Sequence, residues 1–183
     1  MKVIKMRFFH YFTLGVLLFL GAGGQSLAAK QTTIQKTELL NLIVDINNAI
    51  KDRNFAIISA HMPDRLYKEM ARRLNTTEDD LRNNFLKQLH VQFENLSADA
   101  YYLDEIKIDY RQTNNGTFYA LIPTTLKTED SIIHYKTLAI FDNNRWYLVY
   151  GGQKTIQNPV FLEIYPDFNG INLPKETVVK NKE

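Results

Sequence analysis

The stretch Thr137-Leu138-Ala139-Ile140-Phe141-Asp142-Asn143-Asn144-Arg145-Trp146-Tyr147-Leu148-Val149-Tyr150 decides the fold. Two runs rich in β-branched and aromatic residues flank Asn143-Asn144. Asparagine tolerates the positive φ that a tight hairpin turn demands. A two-residue turn there sets Phe141 opposite Trp146, Ala139 opposite Leu148 and Thr137 opposite Tyr150 on one face. Leu138, Ile140, Tyr147 and Val149 then share the reverse face, so both faces are apolar. An antiparallel sheet wetted on one side reads apolar on the other side only, so a second layer must cover this hairpin. The cover is either the C-terminal segment, where Asn158-Pro159 opens a turn of helix bearing Phe161, Leu162 and Tyr165, or a second copy of the chain in a homodimer through the sheet.

Working backward, Thr128 to Ser131 reads as a turn and Thr117 to Leu126 as the preceding strand. Pro123, which cannot donate to a ladder, marks an edge or a bulge in it. Asn114-Asn115-Gly116 is another turn signal. From Tyr101 the pattern alternates, with Ile106, Ile108 and Tyr110 on one side and Glu105, Lys107 and Asp109 on the other. That is the period of a half-exposed strand. The second half of the chain is therefore expected to be a four-stranded antiparallel meander.

The first half has helical spacing. Leu39, Leu42, Ile43, Ile46, Ala49 and Ile50 predict an amphipathic helix over 33–52, and Phe55 to Ala60 a short apolar turn or helix. A second helix runs from Pro63 to Leu74. A third starts at Thr77, a capping hydroxyl followed by Glu78, Asp79 and Asp80 at the positive end of a helix dipole, and carries the stripe Leu81, Phe85, Leu89 and Phe93. The expected class is α+β, with three N-terminal helices packed on a curved four-stranded antiparallel sheet.

Residues 1–28 have the layout of a secretory signal peptide: Lys2, Lys5 and Arg7, an apolar run from Tyr11 to Ala22, and the small-residue exit Ser26-Leu27-Ala28. The run is broken by Gly15 and Gly21 and is shorter than the roughly 20 residues that cross a bilayer, so no stable membrane anchor is expected. The chain has no cysteine, which rules out a lipid anchor on a mature N-terminal cysteine, disulfides and thiolate zinc sites. The expected location is the periplasm or outside the cell. The domain then spans 29–174, with a C-terminal extension from 153 and a frayed tail over 175–183.

Loss of Lys2, Lys5 and Arg7 leaves 19 basic residues against the 20 acidic ones, a net charge of −1. A near-neutral chain with no basic run gives no electrostatic reason to expect nucleic acid as a partner. Ser59, Ser97 and Ser131 lie in no nucleophile elbow, and Gly116, Gly151, Gly152 and Gly170 form no phosphate-cradling loop. His90 and Glu94, four apart on a helix, give two ligands without a third, so neither a metal nor a cofactor is expected.

Export, three helices and then a meander closed by Asn143-Asn144-Arg145-Trp146-Tyr147-Leu148-Val149 together resemble the nuclear transport factor 2-like (cystatin-like, SnoaL-like) superfamily over residues 33–152. The resemblance implies a helix-wrapped curved sheet forming a cone, often with a pocket at its open end and often dimeric through the sheet. Catalytic members resembling ketosteroid isomerase use an aspartate base with a tyrosine and a second acid, and no motif here assigns such a set.

Within that cone, His61, Tyr135, Trp146 and Tyr150 are the expected ligand- or partner-binding residues, lining the space between sheet and helices. With no catalytic constellation, the leading expectation is an exported, soluble, non-catalytic binding or assembly protein acting on a periplasmic protein or a small apolar ligand. Two alternatives stand beside it. One is a periplasmic immunity protein against a secreted bacterial toxin. The other is an isomerase-like or dehydratase-like pocket enzyme with His61, Asp104 or Asp109 as base and a tyrosine donor.

Overall fold

Thr32 and Gln35 set the start of the first helix: the Gln35 amide N–H donates to Thr32 Oγ1 (3.1 Å), and the Thr32 N–H donates to Gln35 Oε1 (2.9 Å). This reciprocal cap satisfies two helix-end donors that would otherwise be left open. The computed structural model describes residues 32–181, so the expected signal peptide lies outside the described residues. Four helices precede the sheet: α1 (Thr33–Lys51), α2 (Phe55–Ala60), α3 (Asp64–Leu74) and α4 (Glu78–Phe93). The three expected helices are α1, α3 and α4, and the short apolar run forms α2. Thr77 caps α4 as its sequence position suggests, accepting from the Asp80 N–H at 3.0 Å.

The sheet contains β1 (Tyr101–Leu103), β2 (Asp109–Gln112), β3 (Phe118–Lys127), β4 (Ser131–Asp142), β5 (Arg145–Val149) and β6 (Thr177–Lys180). Every pairing is antiparallel. The main path is β1-β3-β4-β5, with β2 also on β3 and β6 also on β4. The result is an α+β fold in which a curled antiparallel sheet follows the helices.

The hairpin at Asn143-Asn144 has the expected register. Both residues have positive φ (49° and 58°), Phe141 faces Trp146, and Ala139 faces Leu148. The ladder ends one pair early: Leu138 faces Val149, but Thr137 and Tyr150 do not pair. Gly151 and Gly152, at φ 96° and 58°, turn the chain out of the sheet just after Tyr150.

The expected first strand is two. Asp104 Oδ1 accepts from the Ile106 and Lys107 N–H groups at 2.9 and 3.3 Å, a local turn that competes with the ladder and lifts residues 104–108 out of it. Ile106, placed inside by its alternation, is 85 % exposed. Pro123 sits in the central strand β3, opposite the break between β1 and β2, where its missing N–H costs the ladder nothing.

Two cores flank the sheet. The inner core joins Leu39, Ile43 and Ile46 of α1 to Leu103, Ile122 and Leu148. Asn47 is buried in this layer because both of its amide atoms are used: Oδ1 accepts from the Leu103 N–H and Nδ2 donates to the Leu103 carbonyl, each at 2.9 Å. On the reverse face, Tyr119, Leu121, Leu138, Ile140 and Val149 meet Phe161, Tyr165 and Phe168. The cover is thus the C-terminal segment, through α5 (Gly152–Ile156), α6 (Pro159–Ile164) and the 3₁₀ turn Pro166–Phe168. Asp167 pins it to the β2–β3 turn, accepting from Thr117 Oγ1 (2.6 Å) and Asn115 Nδ2 (2.7 Å). The chain after residue 175, expected to fray, carries β6, whose four side chains are all exposed.

Candidate ligand-binding cavity

β3 and β4 run on past the last residue of β5, and the helices do not fill the space this leaves. Here α4 stands off the inner face of the sheet, bordering a partly open cavity of about 870 Å³. Its walls are apolar: Phe85, Leu89 and Phe93 from α4 face Leu126, Ile133 and Tyr135 from the sheet. The α4 stripe read from sequence is therefore real, and of its members Leu89 is buried while Leu81, Phe85 and Phe93 are partly exposed. The volume falls within the several hundred to 1,000 Å³ of small-molecule sites.

Three tyrosines bring polar atoms to this apolar space. Tyr101 of β1, Tyr135 of β4 and Tyr150 after β5 all line the cavity. The hydroxyl oxygens of Tyr101 and Tyr150 are buried and make no hydrogen bond of good geometry among the described residues, although the Tyr135 and Thr137 hydroxyls stand close to that of Tyr101. Burial pushes the Tyr101 phenol up, and the nearby Tyr135 and Thr137 hydroxyls offset this only in part. Burial likewise raises Tyr135 and holds Tyr150 well above the ordinary phenol value, with the Tyr101 phenol adding to both. The three hydroxyls are thus neutral at any physiological pH. Each can donate one hydrogen bond and accept others.

Of the four residues singled out from sequence, Tyr135 and Tyr150 line the cavity together and His61 and Trp146 do not. His61 ends α2, where its Nδ1–H donates to the Ile57 carbonyl (2.9 Å) and its own carbonyl accepts from the Leu148 N–H (2.7 Å). It ties helix to sheet and does not line the cavity. Trp146 is buried deeper in the inner core, donating from Nε1 to the Gln35 carbonyl (2.7 Å) and meeting Phe141 edge-on. Tyr101 is a lining residue that the sequence reading did not single out. Its signal was its two-residue spacing to Leu103, which puts both on the inner face.

The proposed bases lie elsewhere. Asp104 is occupied by its turn, and Asp109 pairs with Arg111 at 2.6 Å. Among the described residues lining the cavity the one carboxylate is Glu176, at the exposed opening. His90 donates from Nδ1 to the Leu86 carbonyl (2.8 Å) and stacks edge-on against Phe55. Among the described residues no group of three histidine or acidic side chains could hold a metal ion.

No family model matches the chain, and neither a curated protein nor a solved structure matches it significantly.

Proposed function

We propose that this chain is an exported binding protein with a nuclear transport factor 2-like cone, whose cavity holds a small, mainly apolar molecule carrying a hydrogen-bonding group. One observation carries the reading: two buried tyrosine hydroxyls without protein partners border an apolar cavity of ligand size. A buried polar group left unsatisfied costs about 1 to 3 kcal/mol, a cost that a ligand's hydrogen-bonding group would remove. The curled sheet is compatible with the cone, and among the described residues no helix is long and apolar enough to cross a membrane.

The test is uptake of the neutral dye N-phenyl-1-naphthylamine, which brightens in apolar surroundings. Saturable one-to-one uptake is expected, together with its loss in Leu89→Trp, where an indole projects into the cavity from α4. Circular dichroism checks that the variant is folded. No saturable uptake by the parent, or equal uptake by a folded Leu89→Trp, would end this reading.

A further inference from the structure

The cavity lining includes residues on either side of an interruption in the sheet, and their chemistry is not apolar. Along one edge, β4 pairs with β3 over Ile132–Ile140. Along the other it pairs with β6 over Ser131–His134 and with β5 over Leu138–Asp142. Residues 135–137 have no strand beside them on that second edge. Continuing the two registers would bring Gly151 and Lys175 to Lys136, but both belong to the cavity lining instead of a ladder.

The main chain of Lys136 faces this gap. Its partner on β3, Pro123, directs its carbonyl to the β1 side, where it accepts from the Asp104 N–H at 2.8 Å. In an antiparallel pair, residues either exchange both main-chain hydrogen bonds or direct them apart. The N–H and C=O of Lys136 therefore point away from β3, into the gap, and neither has a hydrogen-bond partner among the described residues.

Three lysines line the same cavity: Lys136, Lys154 of α5 and Lys175 just before β6. None of them makes an ion pair among the described residues, and Glu176 is the one acid in the lining. Residues of both cores border the cavity, Leu89 from the inner and Leu173 from the outer. The lining thus runs from apolar residues of the inner face, past the residues that flank the gap, to the lysines.

We propose that the cavity takes an amphipathic anion, its apolar body between α4 and the inner sheet face and its carboxylate-like head in the gap between β5 and β6. There the Lys136 N–H and the ammonium groups of Lys154 and Lys175 receive the head. This rests on the binding reading above and adds the charge and orientation of the ligand.

The experiment displaces N-phenyl-1-naphthylamine from the purified protein with three ligands of equal chain length: dodecanoate, dodecanol and dodecyltrimethylammonium. Dodecanoate should displace the dye at roughly tenfold lower concentration than dodecanol, since two partly screened ion pairs are each worth a few-fold. The cation should be weakest. Adding about 0.5 M NaCl should compress the preference. The double variant Lys154→Glu/Lys175→Glu should abolish it and favour the cation, with dodecanol unchanged. Equal displacement by dodecanoate and dodecanol would overturn the anionic head while leaving the cavity reading in place. A carboxylate preference that survives the double variant would overturn its position in the gap. Absence of dye uptake in the parent would remove both readings together.

Discussion

Replacing Tyr101 or Tyr150 by phenylalanine should stabilise the protein without ligand and weaken its hold on one. Each substitution keeps the ring and removes only an oxygen that is buried without a partner. Removing an unsatisfied hydroxyl recovers its desolvation cost, about 1 to 3 kcal/mol in the limiting case. For a domain of this size, a gain of about 1 kcal/mol raises Tm by roughly 2 to 4 °C. The control is Tyr67→Phe, buried like Tyr101, whose hydroxyl is hydrogen-bonded to Ser59 Oγ at 3.1 Å. That variant should lose about 1 kcal/mol. Urea unfolding followed by circular dichroism separates the signs, provided the m-value is unchanged. Tyr101 and Tyr150 are near enough to influence each other, so the double variant should not be additive. If Tyr101→Phe and Tyr150→Phe destabilise as much as Tyr67→Phe, the two hydroxyls are satisfied in the free protein, and the argument that a ligand completes them fails.

Two further outcomes are expected. Glu69 accepts hydrogen bonds from Arg72 (2.6 and 2.9 Å) and Arg73 (2.7 Å), which hold its carboxyl at about 2, below the ordinary 4.5. A depressed carboxylate adds stability above its unfolded pKa that is lost as pH falls through the folded one. The parent should therefore lose stability between pH 4.5 and 2. Glu69→Gln should lose less, by urea unfolding at each pH, and salt should narrow the difference because the cluster is exposed; identical pH profiles would exclude Glu69 from acid sensitivity. Export is tested by N-terminal sequencing of the secreted chain, which should begin at Ala29; a chain retained with Met1 would refute cleavage.

Local rules made much of the fold legible. Asn143-Asn144 fixed the register of β4 and β5 because only a few residue types accept that backbone, and a one-residue slip would have exposed Trp146. Thr77 marked the start of α4 for an equally local reason. The doubly apolar hairpin called for a cover and named Phe161 and Tyr165 among its candidates. Reading failed where side chains competed with the pattern. Alternation from Glu105 to Tyr110 was genuine, but the Asp104 carboxylate captured two amides and took Ile106 out of the sheet. His61 and Trp146 look like pocket residues by type; one ring nitrogen of each instead donates to a main-chain carbonyl, 4 and 111 residues away in sequence.

The resemblance implied a space between sheet and helices, and Tyr135 and Tyr150 do line it, but its position was not legible because it follows from unequal element lengths and not from any motif. β4 has 12 residues and β5 has 5, and the chain leaves the sheet at Gly151. That glycine holds a positive φ of 96°, and a Cβ there would collide with Thr155 Oγ1, which donates to the Tyr150 carbonyl at 2.8 Å. A larger residue would have to give up this turn. Were the chain to continue as strand, Gly151 would fall opposite Lys136 and close the gap that its departure leaves. The turn that frees Tyr150 to line the chamber is thus also the turn that leaves the Lys136 main chain open beside it. Apolar chamber and polar opening arise from one local decision of the backbone, and a ligand that spans both is the molecule this geometry would select.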